Sequence, residues 1–261
     1  MKMSKTIIPA LAMLVVSAVM LTTASLAWFA MNNQVSATNM SVNIKSDSMF
    51  LYIAAAPDDT TEYRSQDVIT NGGTSANGIP IGYESTGSTE NKVYLTDIYP
   101  SAYDRETIDT LDALNTPSNW YTASALAPGA SAIDNTTKEA LGDFKGYVVR
   151  YKYYLTLSEG SNSISKLAIT DFELSMKVGG ENKVLPVKVV IASDAGIEEL
   201  KYGSTGTSQN FNLLSQTLVE NEVACFYLFV YYDGNEDSVY TNNIDNIDSA
   251  SISFKVSVPN N

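Results

Sequence analysis

The ten residues Val148–Leu157, with the sequence VVRYKYYLTL, are the densest β-strand signal in the chain. Their alternation gathers five apolar or aromatic residues on one face, namely Val149, Tyr151, Tyr153, Leu155 and Leu157. Because a period of two is typical of strands, and β-branched and aromatic side chains pack well on a pleated surface, the stretch predicts a buried strand. The turn-forming residues Glu159–Asn162 then predict a reversal of the chain.

The same pattern continues toward the C-terminus. Alternating runs separated by Gly- and Asn-rich turns predict strands at Leu167–Val178, Val184–Ala192 and Glu222–Tyr232. Between the last two, Asn210–Glu220 indicates a short helix or an irregular crossover. The final strand, Ala250–Val258, is predicted to turn four side chains inward: Ile252, Phe254, Val256 and Val258.

Two strands are predicted on the N-terminal side. Met40–Ile44 alternates, whereas Met49–Ala55 is apolar on both faces and predicts a central strand covered on both sides. Repeated short strands with few helices predict a mainly β protein, an antiparallel jelly-roll-type β-sandwich formed by residues 28–261 as a single domain.

Residues 60–146 differ in texture, because turn residues are dense and apolar positions are sparse. They predict a loop-rich insertion with one or two short helices. Ser101 is placed to cap a helix over Ala102–Leu114 with Ile108, Leu111 and Leu114 as its buried stripe, and a shorter helix is predicted at Thr137–Leu141. Trp120 and Tyr121 either pin the insertion onto the sandwich or form a ligand platform.

The N-terminus carries an export signal, residues 1–27. Lys2 and Lys5 precede an uncharged run, Ile7–Leu26, and small residues then predict cleavage by a signal peptidase between Ala27 and Trp28. The alternative is an uncleaved anchor, since about twenty apolar residues can span a bilayer. The protein is expected outside the cytoplasm, secreted or at the cell surface, with membrane contact only through this segment before cleavage.

Composition excludes several classes of function. The chain has 16 basic and 29 acidic residues, a formal net charge of −13, and loss of Lys2 and Lys5 with the signal makes it two units more negative. Nucleic acid is therefore a poor partner. The chain has no histidine, which removes the usual general base and the commonest zinc ligand, and it has no phosphate-binding or nucleophile-elbow motif. We expect no enzymatic activity, no catalytic residue and no cofactor, and we expect the single cysteine, Cys225, to be a buried, inert thiol.

Asp233, Asn235 and Asp237 have the opening spacing of a calcium loop. Position six of that loop is Ser238 rather than Gly, and position twelve is Ile244 rather than Glu. The segment therefore indicates either a weak calcium site or a tight acidic turn.

Several segments resemble a known family. The signal closes in Leu26–Phe29, an Asn/Ser/Thr-rich strand follows at Ser36–Val42, and the chain ends in the alternating strand Ser251–Val258. These features are similar to proteins processed by the SipW signal peptidase, whose TasA and camelysin group forms biofilm-matrix fibres in Gram-positive-type bacteria (Firmicutes). The resemblance covers the two ends and the hairpins but not residues 60–146.

The resemblance implies that subunits join into an extracellular homopolymer by β-strand donation from the freed N-terminal segment. In this chain the implied donor is the segment 28–44, with Trp28, Phe29, Val35, Met40, Val42 and Ile44 as its anchors. The alternative for this segment is an ordinary first strand in its own sheet. The alternative for the protein is a monomeric cell-surface binding module for a glycan or host ligand, suggested by its 16 tyrosines and Trp120.

Overall fold

The structure, a computed structural model, describes residues 40–46, 51–63, 75–82, 98–123, 138–178, 181–182, 187–200, 211–235 and 247–258. Within these ranges the chain is mainly β. The first strands are β1 (Met40–Ser46), β2 (Leu51–Ala56), β3 (Ser75–Asn77), β4 (Ala102–Tyr103), β5 (Trp120–Ala123) and β6 (Lys138–Ala140). The later strands are β7 (Val148–Leu157), β8 (Ala168–Val178), β9 (Glu181–Asn182), β10 (Val187–Ser193), β11 (Gly196–Glu199), β12 (Val223–Tyr232) and β13 (Ile247–Ser257). A single helix turn, α1 (Leu111–Leu114), and a 3-10 turn at Pro117–Asn119 complete the described elements.

The strands form three sheets. Sheet A has the order β3-β1-β13-β8-β9, sheet B has the order β11-β10-β12-β7-β2, and sheet C has the order β4-β5-β6. The strand pairs of these sheets are antiparallel except one, because β1 runs parallel to β13. The prediction of a mainly β, antiparallel protein is confirmed, with this one parallel pair as a correction.

Sheets A and B pack face to face around the main core. Sheet B supplies the predicted face of β7, including Tyr151 and Tyr153, and sheet A supplies Ile252, Phe254 and Val256 from β13. These alternating positions are buried as the period of two predicts. Val258 was predicted to point inward and this was wrong: it lies just beyond β13 and is 45% exposed.

The position of β2 also corrects a prediction. Both of its faces are covered, since Leu51 and Ile53 join the main core while Ala54 and Ala56 pack with Tyr154 on the other side. The strand is nevertheless terminal in the order of sheet B and not central. Apolar character on both faces reports coverage on both faces, and it does not report a second hydrogen-bonded neighbour.

The segment predicted as an insertion covers the outer face of sheet B. Sheet C and α1 place Tyr103, Leu114 and Trp120 against Phe229 and Tyr231 of β12 in a second apolar cluster. Trp120 is fully buried, and its indole Nε1 donates to the carbonyl oxygen of Leu114 at 2.7 Å. The prediction that Trp120 pins this segment to the sandwich is confirmed.

The helix predicted over Ala102–Leu114 was wrong in its first two turns. Ala102 and Tyr103 form β4, which pairs with β5. Ser101 is buried, and its main-chain N–H donates to the main-chain carbonyl of Tyr232 at 2.9 Å. The helix begins only after Thr110, whose hydroxyl accepts from the Ala113 N–H at 3.3 Å. Main-chain pairing with β5 therefore prevailed over the local capping pattern.

The structure also tests two predictions for short segments, the helix at Thr137–Leu141 and the helix or irregular crossover at Asn210–Glu220. The helix predicted at Thr137–Leu141 was wrong, because Lys138–Ala140 is β6 and pairs with β5. The described part of the crossover, residues 211–220, is irregular and is tied to the body by isolated bridges from Asn212 to Ala168 and from Leu218 to Ile164.

Candidate assembly site

The first described strand, β1, lies inside sheet A between two neighbours. On one side it pairs in parallel with β13 along its full length, from Met40 opposite Ala250 to Ser46 opposite Val256. On the other side only Asn43–Lys45 pair with the short strand β3. A strand near one end of the chain is thus held by main-chain pairing to a strand near the other end.

The strand β13 presents an apolar floor beside β1. The register places Val42 next to Ile252 and Ile44 next to Phe254, and the side chains of both β13 residues are buried, 0% and 2% exposed. The Phe254 ring makes an edge contact with Phe226 of sheet B, with ring centroids 6.3 Å apart. Alternate positions along β1 therefore lie beside alternate core residues of β13.

A short segment closes the other side of β1, and we call residues 75–82 the strap. At one end β3 pairs with β1, and at the other end Pro80 bridges Tyr151 while the Ile81 N–H donates to the Arg150 carbonyl at 2.9 Å. The strap therefore links the β1 side of sheet A to β7 of sheet B.

Between those two attachments the main chain of the strap packs directly against side chains of the main core. Gly78 is buried, and a methyl group at its α-carbon would overlap the Tyr153 hydroxyl and lie 2.7 Å from Tyr151 Cδ1. Gly78 does not have a positive φ, so glycine is needed here for space and not for backbone conformation. Among the described residues the Tyr153 hydroxyl has no hydrogen-bond partner, and burial raises the pKa of Tyr153 well above its ordinary value.

The predicted donor residues fall partly within this site. Met40, Val42 and Ile44 belong to β1 and pair within their own chain, as the alternative of an ordinary first strand expects. Trp28, Phe29 and Val35 lie outside the described residues, as does the predicted cleavage site between Ala27 and Trp28. In the described part of the chain, no helix is long and apolar enough to cross a membrane.

The calcium candidate contributes to an ion-pair cluster instead of standing free in solvent. The Asp233 carboxylate is buried and bonds to the Arg105 guanidinium, and its Oδ1 also accepts from the Asn235 N–H at 3.0 Å. The Asn235 side-chain amide donates to the Tyr121 hydroxyl at 3.2 Å. Asp237 lies outside the described residues. Among the residues that are described, no group of three carboxylate or thiol side chains is placed to hold a metal ion.

Arg105 is a residue that sequence reasoning missed. Its guanidinium also pairs with Glu199 of β11 at 2.9 Å and donates to the Tyr231 hydroxyl at 3.3 Å, while Lys188 of β10 reaches Glu199 at 3.1 Å. Burial alone would lower the pKa of Arg105, but Tyr231, Asp233 and Glu199 outweigh it and raise that pKa. The cluster ties the segment before α1 to the edge of sheet B.

Lys152 is a buried cation on the outer face of sheet B. The Lys152 Nζ donates to the main-chain carbonyls of Asp59 and Thr61, at 3.0 and 3.3 Å. Cys225 lies nearby and is half-buried, and burial raises the pKa of its thiol to about 12. A thiol with so little thiolate at neutral pH is a poor nucleophile, as predicted, although it is less buried than expected.

Three of the aromatic residues suggested for ligand stacking lie inside the protein, whereas Tyr121 is half-buried. Trp120 packs against Tyr103, Tyr231 and Phe229, with centroid distances of 4.7, 4.9 and 6.2 Å. Tyr151 and Tyr153 are buried in the main core. These three rings therefore have no open face for a sugar, and Tyr99 is the exposed tyrosine among the large apolar side chains of the described residues.

Comparisons with known proteins find no match for the chain, whether among protein-family models, curated proteins or solved structures. The interpretation of the site therefore depends on its own geometry, in which β1 is held between β13 and the strap.

Proposed function

We propose that the protein is a structural subunit of an extracellular, biofilm-matrix type of fibre, exported and then assembled by donation of its N-terminal strand to a neighbouring copy. The observation that supports this most is the placement of β1, which pairs in parallel with β13 over its whole length. The donated strand would be β1 together with the segment before it, and the acceptor would be the slot between β13 and the strap. No step of this function needs catalysis, a cofactor or a metal.

The energetics favour an exchange of this kind. When β1 leaves its own β13 and pairs with the β13 of another copy, seven residue pairs are broken and the same seven pairs form again. The net change in main-chain hydrogen bonding is therefore small. Parallel pairing is also slightly less stable per residue than antiparallel pairing, which lowers the cost of opening. Each copy both gives and receives a strand, and such a head-to-tail contact extends into a filament unless its rotation closes a ring.

Specificity comes from the apolar floor of the slot. A strand enters in register only if apolar residues meet the positions beside Ile252 and Phe254, because a slip of one residue would bring polar residues to the core face. The sequence of β1 provides this alternation with Met40, Val42 and Ile44. A second copy of the chain is therefore the partner that fits best.

The topology and the compartment belong to the same proposal. The jelly-roll connectivity predicted from sequence is supported by β1 and β13, which lie side by side although they are far apart in the chain.

Export is supported by the apolar run Ile7–Leu26, and cleavage after Ala27 would free the donor segment from the membrane. A surface charge that is strongly negative keeps unassembled subunits apart and soluble.

Deleting Asn32–Val42 from the mature protein, residues 28–261, is expected to abolish fibres while leaving a soluble folded body, because the deletion removes most of the donor segment but leaves β13 and sheet B in place. Electron microscopy and far-UV circular dichroism measure the two outcomes. The control replaces Asn32–Val42 with a Gly/Ser segment of equal length, which keeps the spacing and removes three of the six anchors, Val35, Met40 and Val42, and it should also form no fibres. Fibres persisting in the deletion variant would contradict the donor role.

The alternative, a monomeric surface binding module, is distinguished by the same images. Discrete particles from the unmodified mature protein, at concentrations where a fibre subunit would polymerise, favour the module. Long ordered filaments favour the structural subunit.

A further inference from the structure

We propose that the strap, residues 75–82, is a latch that controls whether β1 can be exchanged between copies. This inference depends on the function proposed above and adds its regulation. In sheet A, β1 is not an edge strand, because β3 of the strap pairs with it on the side opposite β13. A strand held on both sides cannot leave, and a neighbour's strand cannot enter, until one of those sides opens.

Of the two strands that pair with β1, β3 of the strap makes the weaker pairing. It contacts β1 through three residue pairs, Asn43–Asn77, Ile44–Ala76 and Lys45–Ser75, whereas β13 contacts β1 through seven. Ser75 and Asn77 are exposed, so only Ala76 of this short strand packs against the core. Separation of β3 from β1 therefore exposes little apolar surface and is the easier first step.

The strap is held closed by its fit at Gly78. Its far end is fixed to β7 by the bridge from Pro80 to Tyr151 and by the buried Ile81 side chain. Between that anchor and β3, the main chain at Gly78 lies directly on the rings of Tyr151 and Tyr153. Any side chain at position 78 would lift β3 away from β1 while the anchor at Ile81 stays in place.

The test is Gly78→Ala in the mature protein, with Gly142→Ala as the matched control. Gly142 is exposed, has no positive φ and has nothing within 4 Å of the position of an added methyl group. Added volume at a tightly packed position commonly costs enough free energy to raise the open population about tenfold. We expect Gly78→Ala to exchange the amide hydrogens of Met40–Ser46 about tenfold faster than the control, measured by mass spectrometry, and to shorten the lag of fibre assembly.

A double variant keeps the test interpretable if Gly78→Ala disturbs folding. Tyr153→Phe removes the hydroxyl that the new methyl group would overlap, and it breaks no hydrogen bond to any residue that the structure describes. We expect Gly78→Ala with Tyr153→Phe to restore the circular dichroism of the parent and to return amide exchange and lag part of the way toward the control.

The results separate the latch from the proposed function. Equal amide exchange in Gly78→Ala and Gly142→Ala, or a longer lag in a folded Gly78→Ala protein, would overturn the latch even if the unmodified protein forms fibres. If the unmodified protein forms no fibres, the proposed function fails, and the exchange rate of Met40–Ser46 still decides whether the strap controls β1.

Discussion

Val42→Asp is expected to abolish fibre assembly. Position 42 pairs with Ile252, whose side chain is fully buried, so from this register we expect a carboxylate at position 42 to face the core of sheet A. An uncompensated buried charge costs about 3–5 kcal/mol, so we expect the seven-residue pairing of β1 with β13 to open. Electron microscopy of the purified mature variant measures the loss of fibres, and denaturant unfolding measures the loss of stability.

Ser41→Asp is the matched control, since it adds the same charge one residue earlier. Position 41 pairs with Ser251, which is exposed, and a surface substitution of this kind changes the free energy of unfolding by about 0.5 kcal/mol or less. Fibres from Ser41→Asp and none from Val42→Asp support the register of β1 on β13. Equal assembly by the two variants would show that position 42 does not enter the slot.

The second large effect is expected at Trp120. Trp120→Ala removes a fully buried indole that contacts Tyr103, Phe144 and Tyr231, and it also removes the hydrogen bond to the Leu114 carbonyl. Loss of a buried tryptophan costs about 3–5 kcal/mol. For a chain of this size that corresponds to a fall of roughly 6–20 °C in Tm, which thermal unfolding followed by circular dichroism will measure.

Tyr121→Ala is the control for this prediction because Tyr121 is the next residue on β5 and is only half-buried. It loses the bond from Asn235 and the contact with Lys138, whose Nζ lies 4.1 Å from the ring centroid. These contacts contribute about 1–2 kcal/mol together. A fall in Tm as large for Tyr121→Ala as for Trp120→Ala would contradict the assignment of Trp120 as the main attachment of sheet C.

The main strands could be predicted because the pattern of apolar and polar side chains along each one indicates which residues are buried. β7 and β13 alternate, and their core-facing residues follow from the period of two, whereas β12 is apolar on both faces. The alternation of β7 does not predict that its other face is covered too, although all ten of its residues are buried. The partner of each strand does not follow from that pattern. The parallel pairing of β1 with β13 depends on how the sheets close in space, and no local signal encodes it.

Residues 98–140 were harder to predict because local and long-range preferences disagree there. Ser101, Asp104 and Glu106 form an acidic, capped start that favours a helix, yet Ala102 and Tyr103 gain more by pairing with β5. Thr110 carries the correct cap signal directly before α1, but the earlier Ser101 matches the same rule. Cap residues alone therefore do not indicate at which of two possible N-caps a helix begins.

The charged cluster could not be found from the sequence for a related reason. Arg105 and Asp233 are 128 residues apart, and neither belongs to a motif that would pair them. The spacing of Asp233, Asn235 and Asp237 instead drew attention to calcium. A buried aspartate needs a counter-charge, and the sequence gives no indication that Arg105, from the segment before α1, supplies it.

The most direct test of strand donation is a disulfide between positions 41 and 251. These positions are opposite each other on β1 and β13, and neighbouring strands lie about 4.8 Å apart, within reach of a disulfide. The variant Ser41→Cys, Ser251→Cys and Cys225→Ala is assembled in reducing buffer, then oxidised and run on a non-reducing gel. Donation between copies predicts a ladder of covalently linked multimers from the fibres. Fibres that yield only internally linked monomers would show that β1 stays in its own sheet, and would contradict the account.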